Sequence, residues 1–414
     1  FLVFMLLHQT DKLLIGPLTS SIMDTFGIDE AQMGFVFSGA IVVGAIMYPL
    51  WGWLYDRYAR SKLLALAAFI WGATTWLSAV VRTYTGFLVT RSSTGIDDSS
   101  YPGLYNLMAD YFEPKTRGKI FGLLQLTAPI GYTLGMVLAM LLGGSLGWRS
   151  VFFITGSLGI LMAFVIYFFI KEPARGGTEP ELQNVQVKTR YKFSFKTAAR
   201  IFNKPTMIFL FLNGFFGVFP WQVITFWIFR YLETERFYDE GTILINMVLA
   251  IFAMATGFPF AGWLGDKLFR KGLRGRLIVG CVGIFLGIVF AIFAFTTPVD
   301  NPLQFGVLLV LMAFFMPWAG ANVLATIYDI TLPEVRSTTH ALFNFAEQIG
   351  SAAAPSIAGL IAVQASLGSA IIWIATVAWS VCLVMLIIGL AYVPRDILDL
   401  RKRLTERAAL EQAQ

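Results

Sequence analysis

Several stretches of the chain carry no Asp, Glu, Lys or Arg over the thickness of a bilayer or more, among them 63–81, 151–170, 277–299 and 348–393. A backbone in hydrocarbon must satisfy its own hydrogen bonds, so runs of this length fold as membrane-crossing helices of about 20 residues. The last stretch holds two spans, with a break near 364–369. The apolar residues come in long runs rather than ten-residue alternations, which excludes a transmembrane β-barrel. Only 14% of the 414 residues are charged and 57% are hydrophobic, whereas a soluble domain carries about 25% charged residues. This excludes a soluble enzyme, a disordered chain and a disulfide-stapled secreted domain. Cys281 and Cys382 sit inside apolar runs as packing residues. The chain opens on Phe1 rather than Met and leads directly into a retained span.

The expected spans are 1–24, 31–56, 63–81, 84–111, 118–144, 148–170, 204–231, 240–265, 277–298, 303–330, 337–363 and 369–393. Twelve helices make two six-helix bundles, 1–170 and 204–393, joined by a cytoplasmic linker at 171–203 and followed by a tail at 394–414. Alternate loops hold 25 of the 31 Lys and Arg residues, including Arg57, Arg60, Lys62, Lys115, Arg117, Lys119, the linker, the cluster from Lys267 to Arg276, Arg336 and the tail. The other loops are acidic, with Asp24, Asp29, Glu30, Glu233, Glu235, Asp239, Glu240 and Asp300. The positive-inside rule therefore puts both termini in the cytoplasm. The net charge of +6 is a topology signal and implies no nucleic acid. Short loops and tails suit a prokaryotic inner membrane. Within the linker, 193–202 reads either as an interfacial helix or as a solvated connection.

The halves repeat. Gly52-Trp-Leu-Tyr-Asp56-Arg57-Tyr-Ala-Arg60 ends span two, and Gly262-Trp-Leu-Gly-Asp266-Lys267-Leu-Phe-Arg270 ends span eight. Asp110 ends span four with Arg117 seven residues on, and Asp329 ends span ten with Arg336 seven residues on. Two matches at similar offset indicate a parallel duplication with a substrate cavity near the midplane. The expectation is a pair of conformational latches: Arg57 and Arg60 with Asp110, Arg270 with Asp329, and Asp56 and Asp266 against helix N-termini. Gly52 and Gly262 are expected to admit close helix approach. The alternative is a purely topogenic basic loop.

Charge inside a membrane costs about 2.5–3.5 kcal/mol per group on insertion scales, so each instance marks a candidate site. Span one contains His8-Gln-Thr-Asp11-Lys12, with His8 read as a hydrogen-bonded packing residue. Span four contains Arg91-Ser-Ser-Thr94-Gly95-Ile-Asp97-Asp98-Ser-Ser-Tyr101. On a continuous helix, residues seven apart share a face. Arg91 and Asp98 then face one side with Thr94 and Tyr101 close by, while Asp97 points elsewhere. This group reads either as a proton-binding site or as a static buried ion pair. Glu347 in span eleven lines the cavity or bridges to the helix end. Asn213, Trp221, Gln222 and Thr225 form a polar and aromatic stretch of span seven. Pro129, Gly131 and Gly135 form a small-residue stripe suited to close packing.

The Gly-x-Leu-x-Asp-Arg/Lys loops resemble those of the major facilitator superfamily. Asp11-Lys12, Phe26-Gly27-Ile28, the span-four segment, Ala109-Asp110-Tyr-Phe with Arg117, Lys171-Glu-Pro-Ala-Arg-Gly, and Gly262-Trp-Leu-Gly-Asp266 with Arg274-Gly-Arg276 resemble its Spinster branch, related to lysophospholipid and sphingosine-phosphate transporters. That branch shows Gly-Ile-Gly-Glu-Ala-Ser-Tyr where this chain has Gly-Ile-Asp97-Asp98-Ser-Ser-Tyr, and Arg where it has Lys12. The resemblance implies that Asp11 and Asp98 are proton-coupling carboxylates, partnered by Lys12 and Arg91. It also implies a monomeric, proton-coupled symporter or antiporter without cofactors, moving a lysolipid-like anion by alternating access among membrane lipids. The competing readings are a carrier of small organic or sugar acids, a drug exporter, a sensor or a passive scramblase. A membrane enzyme lacks a metal cluster or nucleophile–base pair in the sequence.

Overall fold

The structure is a computed structural model that describes residues 1–112, 114–173, 204–331 and 336–412. The interfacial-helix candidate at 193–202 lies outside the described residues. So do the side chains of Asp56, Tyr101, Arg117 and Arg336. The elements are α1 (Leu2–Leu14), α2 (Thr19–Phe26), α3 (Glu30–Arg57), α4 (Arg60–Val80), α5 (Tyr84–Ser93), α6 (Gly95–Asp98), α7 (Tyr101–Tyr111), α8 (Pro114–Leu146) and α9 (Trp148–Phe169). After the linker come α10 (Pro205–Thr234), α11 (Glu240–Phe269), α12 (Gly275–Thr296), α13 (Pro302–Phe315), α14 (Trp318–Asp329), α15 (Arg336–Gln364) and α16 (Leu367–Gln412). The last helix runs without interruption through the expected tail. There Arg403 pairs with Asp399 one turn earlier at 3.1 Å.

Among the described residues, nine helical segments are long and apolar enough to cross a membrane by length and composition. Expected spans one, four and eleven are not among them. Spans one and four are broken into short pieces, and α15 carries His340, Asn344, Glu347 and Gln348 in its first half. These are the spans with the polar candidates. Large apolar side chains face outward, among them Ile46, Phe168, Phe252 and Trp373, as a lipid-facing surface requires.

Two compact units form, and they do not coincide with the sequence halves. The first comprises Phe1–Lys188, Val223–Glu240 and Ala352–Leu367; the second comprises Thr189–Gln222, Gly241–Ser351 and Gly368–Gln414. The segments from the second half join the first unit through direct contacts. Arg230 Nη2 bonds Glu30 Oε1 at 2.8 Å, Trp227 Nε1 donates to the Pro355 carbonyl at 3.1 Å, and Phe226 stacks on Phe37 at 4.5 Å.

In the first unit, a core of Phe4, Met5, Leu64, Ala68, Trp71, Leu104 and Met108 joins α1, α4 and α7. Two glycines set how closely the charge-bearing helices approach. A Cβ on Gly135 would overlap the Thr10 carbonyl oxygen, and one on Gly95 would overlap the Ala40 carbonyl oxygen. The Gly131–Gly135 stripe thus docks α8 on α1, and Gly95 docks α6 on α3. Gly52 and Gly262, expected at close crossings, meet nothing within 4 Å among the described residues. Their latch loops therefore do not depend on close helix approach there. Replacing Gly95 or Gly135 by Ala forces the paired backbones apart, and overpacking of this kind costs about 1–3 kcal/mol. Thermal unfolding of purified protein should show a lowered midpoint for both variants and none for Gly52→Ala.

Candidate functional site

Helix α1 ends at Leu14, two residues past Lys12, and a turn over 15–18 containing Pro17 follows. Pro17 has no N–H to continue the helical ladder. Span four breaks twice, at Thr94 and at Ser99–Ser100, with Pro102 in the first turn of α7. Irregular backbone at membrane depth survives only where it is buried in protein or lines a cavity. The breaks therefore sit beside the charges.

They also re-aim the side chains. Thr94 spends its hydroxyl on the Arg91 carbonyl at 2.7 Å, capping the first break. Arg91 and Asp98 do not pair. Instead Lys12 Nζ lies 3.1 Å from Asp98 Oδ1, both side chains about a third exposed at 32% and 31%. Asp97, expected to point away, turns inward and accepts from His8: Nε2 to Oδ2 is 2.6 Å, with exposures of 4% and 3%. The shared-face expectation failed because it assumed one unbroken helix. Arg91 is buried with its guanidinium over the Phe152 ring at 5.1 Å, and its Nη1 has no hydrogen-bond partner among the described residues. Asp11 is buried too; Thr75 Oγ1 donates to its Oδ2 at 3.3 Å, and its Oδ1 has no partner among the described residues. Tyr132 of α8 lies within electrostatic reach of Lys12 and Asp98, carried there by the glycine-stripe docking.

Sequence reasoning named His8 and Asp97 but did not pair them. His8 stands three and four residues before Asp11 and Lys12, a spacing that shares one helix face. Gly95, the Ser99-Ser100 pair and Pro102 were the available signals for the break. His8, Asp97 and Asp98 each present an atom within 4.8 Å of the others, a spacing that would admit a small cation. Lys12 already supplies the positive partner on that side, so the arrangement suits protons and ion pairs.

At the basic end of the first unit, Arg60 bonds Asp110, as expected, and also Glu172 Oε1 at 2.9 Å. Burial works to raise the Glu172 pKa, but the Ser61 N–H at 2.7 Å and the Arg60 guanidinium outweigh it and hold the carboxyl below its ordinary range. Arg57 lies instead over the Trp53 ring at 4.7 Å. In the second unit the expected pair is corrected: Arg276, not Arg270, reaches Asp329, and its Nη2 bonds Asp266 at 2.7 Å. Arg270 is exposed at the end of α11. The connection after Asp266 runs longer than its counterpart after Asp56, so the equivalent of Arg60, at the start of the next helix, falls six residues later than a fixed offset places it.

Glu347 and Asn213 line a cavity of about 160 Å³ in the second unit, walled by Trp221, Phe343 and Trp379. The break between α13 and α14, at Met316–Pro317, borders it. Spans four and ten, equivalent in the repeat, thus break at comparable depth, each beside a polar candidate.

The chain belongs to the major facilitator superfamily, whose model matches residues 1–355. It is 29% identical over 377 residues to the cis,cis-muconate transport protein of Acinetobacter baylyi, covering 88% of this chain and 86% of that protein. It is 24% identical over 386 residues to protein spinster homolog 1 of Xenopus laevis, covering 88% and 72%. Its fold is similar to the crystal structure of a bacterial homologue of the human lysosomal transporter Spinster, inward-facing and unoccupied, with a TM-score of 0.77, 21% identity and 96% of each chain covered. The molecule is an integral membrane transporter of a small-molecule substrate, not an enzyme, and the Spinster resemblance is supported in both sequence and fold.

Because Arg276 holds two partly exposed carboxylates, Arg276→Gln should shift the conformational equilibrium by about 1 kcal/mol, the upper range for exposed ion pairs. Arg270→Gln should shift it negligibly. Alkylation rates of single cysteines placed along α11 and α14 report the difference.

Proposed function

We propose that this transporter is a proton-coupled carrier of an organic anion, and that the anion is a small carboxylate. The observation that carries the reading is the Lys12–Asp98 pair, about a third exposed, in the same unit as a buried Arg91 that makes no ion pair among the described residues. An ammonium neutralised by an accessible carboxylate is an exchangeable anion site. A substrate carboxylate takes Lys12 from Asp98. The displaced Asp98, stripped of its cation, takes up a proton. Substrate and proton thereby move together, and release of either restores the ion pair. Arg91, with its unpartnered N–H donors, is a second anchor for a carboxylate, and its planar fork suits that geometry. Asp11, held only by Thr75, is the second candidate proton carrier.

Support for a small acid comes from the muconate transport protein, which is more similar to this chain, at 29% identity, than the Xenopus spinster homologue, at 24%. A lysophospholipid is the competing cargo.

Reconstitution in liposomes tests both points. Wild-type protein should accumulate cis,cis-muconate or a comparable carboxylate when a proton gradient is imposed, in preference to lysophosphatidylcholine. Asp98→Asn should abolish gradient-driven accumulation while leaving expression and thermal stability intact. Arg91→Gln should raise the half-saturating concentration roughly 10- to 100-fold, as expected for one lost charge-assisted interaction. Gradient-independent flux overturns the coupling, and a preference for lysolipid overturns the cargo.

A further inference from the structure

The buried half of the charge cluster has no task in the exchange between Lys12 and Asp98, yet its geometry is specific. His8 Nε2 lies 2.6 Å from Asp97 Oδ2 and 3.6 Å from Asp98 Oδ1. One nitrogen therefore stands between an accessible carboxylate and a sealed one. Asp97 Oδ1 is buried without a hydrogen-bond partner among the described residues. The imidazole is held edge-on to Trp71, with centroids 5.1 Å apart, and beside Phe4 at 5.9 Å. These rings wall the pair from α1 and α4. Asp11 on α1 and Asp98 on α6 lie within electrostatic reach of Asp97; Thr75 on α4 bonds Asp11, and Lys12 on α1 and Tyr132 on α8 stand by Asp98. The guanidinium of Arg91, at the end of α5, is turned to Phe152.

We propose that His8 is a proton relay that moves the coupled proton from Asp98, at the accessible rim, to Asp97, in the sealed interior. The proposal rests on the proton-coupled reading above and extends it. In the forward step His8 Nε2–H gives its proton to Asp97 Oδ2 as the protonated Asp98 gives its own to the nitrogen so vacated. The ring is neutral before and after, Asp97 becomes a carboxylic acid, and Asp98 is again a carboxylate able to pair with Lys12. No other reactant is needed. The charge count favours this traffic. Asp97 lies within electrostatic reach of Asp11 and Asp98, and a proton parked on it relieves the repulsion among the three carboxylates where no water reaches. The proton is thus shielded while the carrier changes state, and the accessible site is reset for the next anion.

Two measurements on the full-length protein in liposomes test the relay. The first is accumulation of labelled muconate under a proton gradient. The second is counterflow, in which labelled substrate exchanges for unlabelled substrate at equal pH and no net proton moves. His8→Gln and Asp97→Asn should each lose gradient-driven accumulation while keeping counterflow and its dependence on substrate concentration. If wild-type accumulation ignores the gradient, the proton-coupled reading fails, and the relay with it. If the wild type is gradient-driven and both variants remain so, the relay alone is overturned. If both variants lose counterflow and thermal stability together, the pair is a structural tie, which also overturns the relay.

Discussion

A carboxylate, an ammonium or a guanidinium carried into a lipid-facing bundle must be matched inside the protein, and the first unit is arranged around that requirement. Asp11, Lys12, Arg91, Asp97, Asp98 and His8 come from two broken stretches of chain. Their pairing depends on how closely those stretches can be brought together. The glycine stripe of α8 lets it lie on α1, and Gly95 lets α6 lie on α3. The helix breaks then free adjacent side chains from a common helical register. Asp97 and Asp98, neighbours in sequence, end in different environments, one sealed with an imidazole and one at an accessible rim with Lys12. Both lie on α6, where one helical step of about 100° points them apart; the packing around that short helix seals one and leaves the other exposed.

The internal repeat gives the molecule two versions of one device. Arg60 and Arg276 each stand at the start of a helix and reach a carboxylate at the end of another, Asp110 and Asp329. The differences between the two are instructive. Arg60 recruits Glu172 from beyond α9, whereas Arg276 recruits Asp266 from the last turn of α11. At the far end of α3 from Arg60, Arg230 grips Glu30. Ion pairs at both ends of the first unit are the kind of contact that alternating access requires to be made and broken. They are partly exposed, which keeps each one weak enough to release.

Much of this was legible before any coordinates. Uncharged runs gave the spans, and the recurrence of Asp56 at Asp266 and of Asp110 at Asp329 gave the duplication. Intramembrane charges marked the candidate residues, since hydrocarbon tolerates few of them. Two local readings missed. Arg270 was named for Arg276 because a longer loop shifts the register of the repeat. Arg91 was placed with Asp98, and Asp97 elsewhere, because span four was read as one helix. His8 was read as a hydrogen-bonded packing residue, and its partner proves to be Asp97, 89 residues away.

The sequence by itself determined that this chain crosses a membrane many times, that its two halves repeat, and that a handful of charges in spans one, four and eleven are out of place in lipid. Those are consequences of composition and period, which act locally along the chain. Only the tertiary structure decided which charge meets which, which carboxylate is exposed, and which arginine reaches Asp329. Pairing across the bundle depends on where helices break and how closely glycines let them pack, and neither distance nor burial is encoded at a single position.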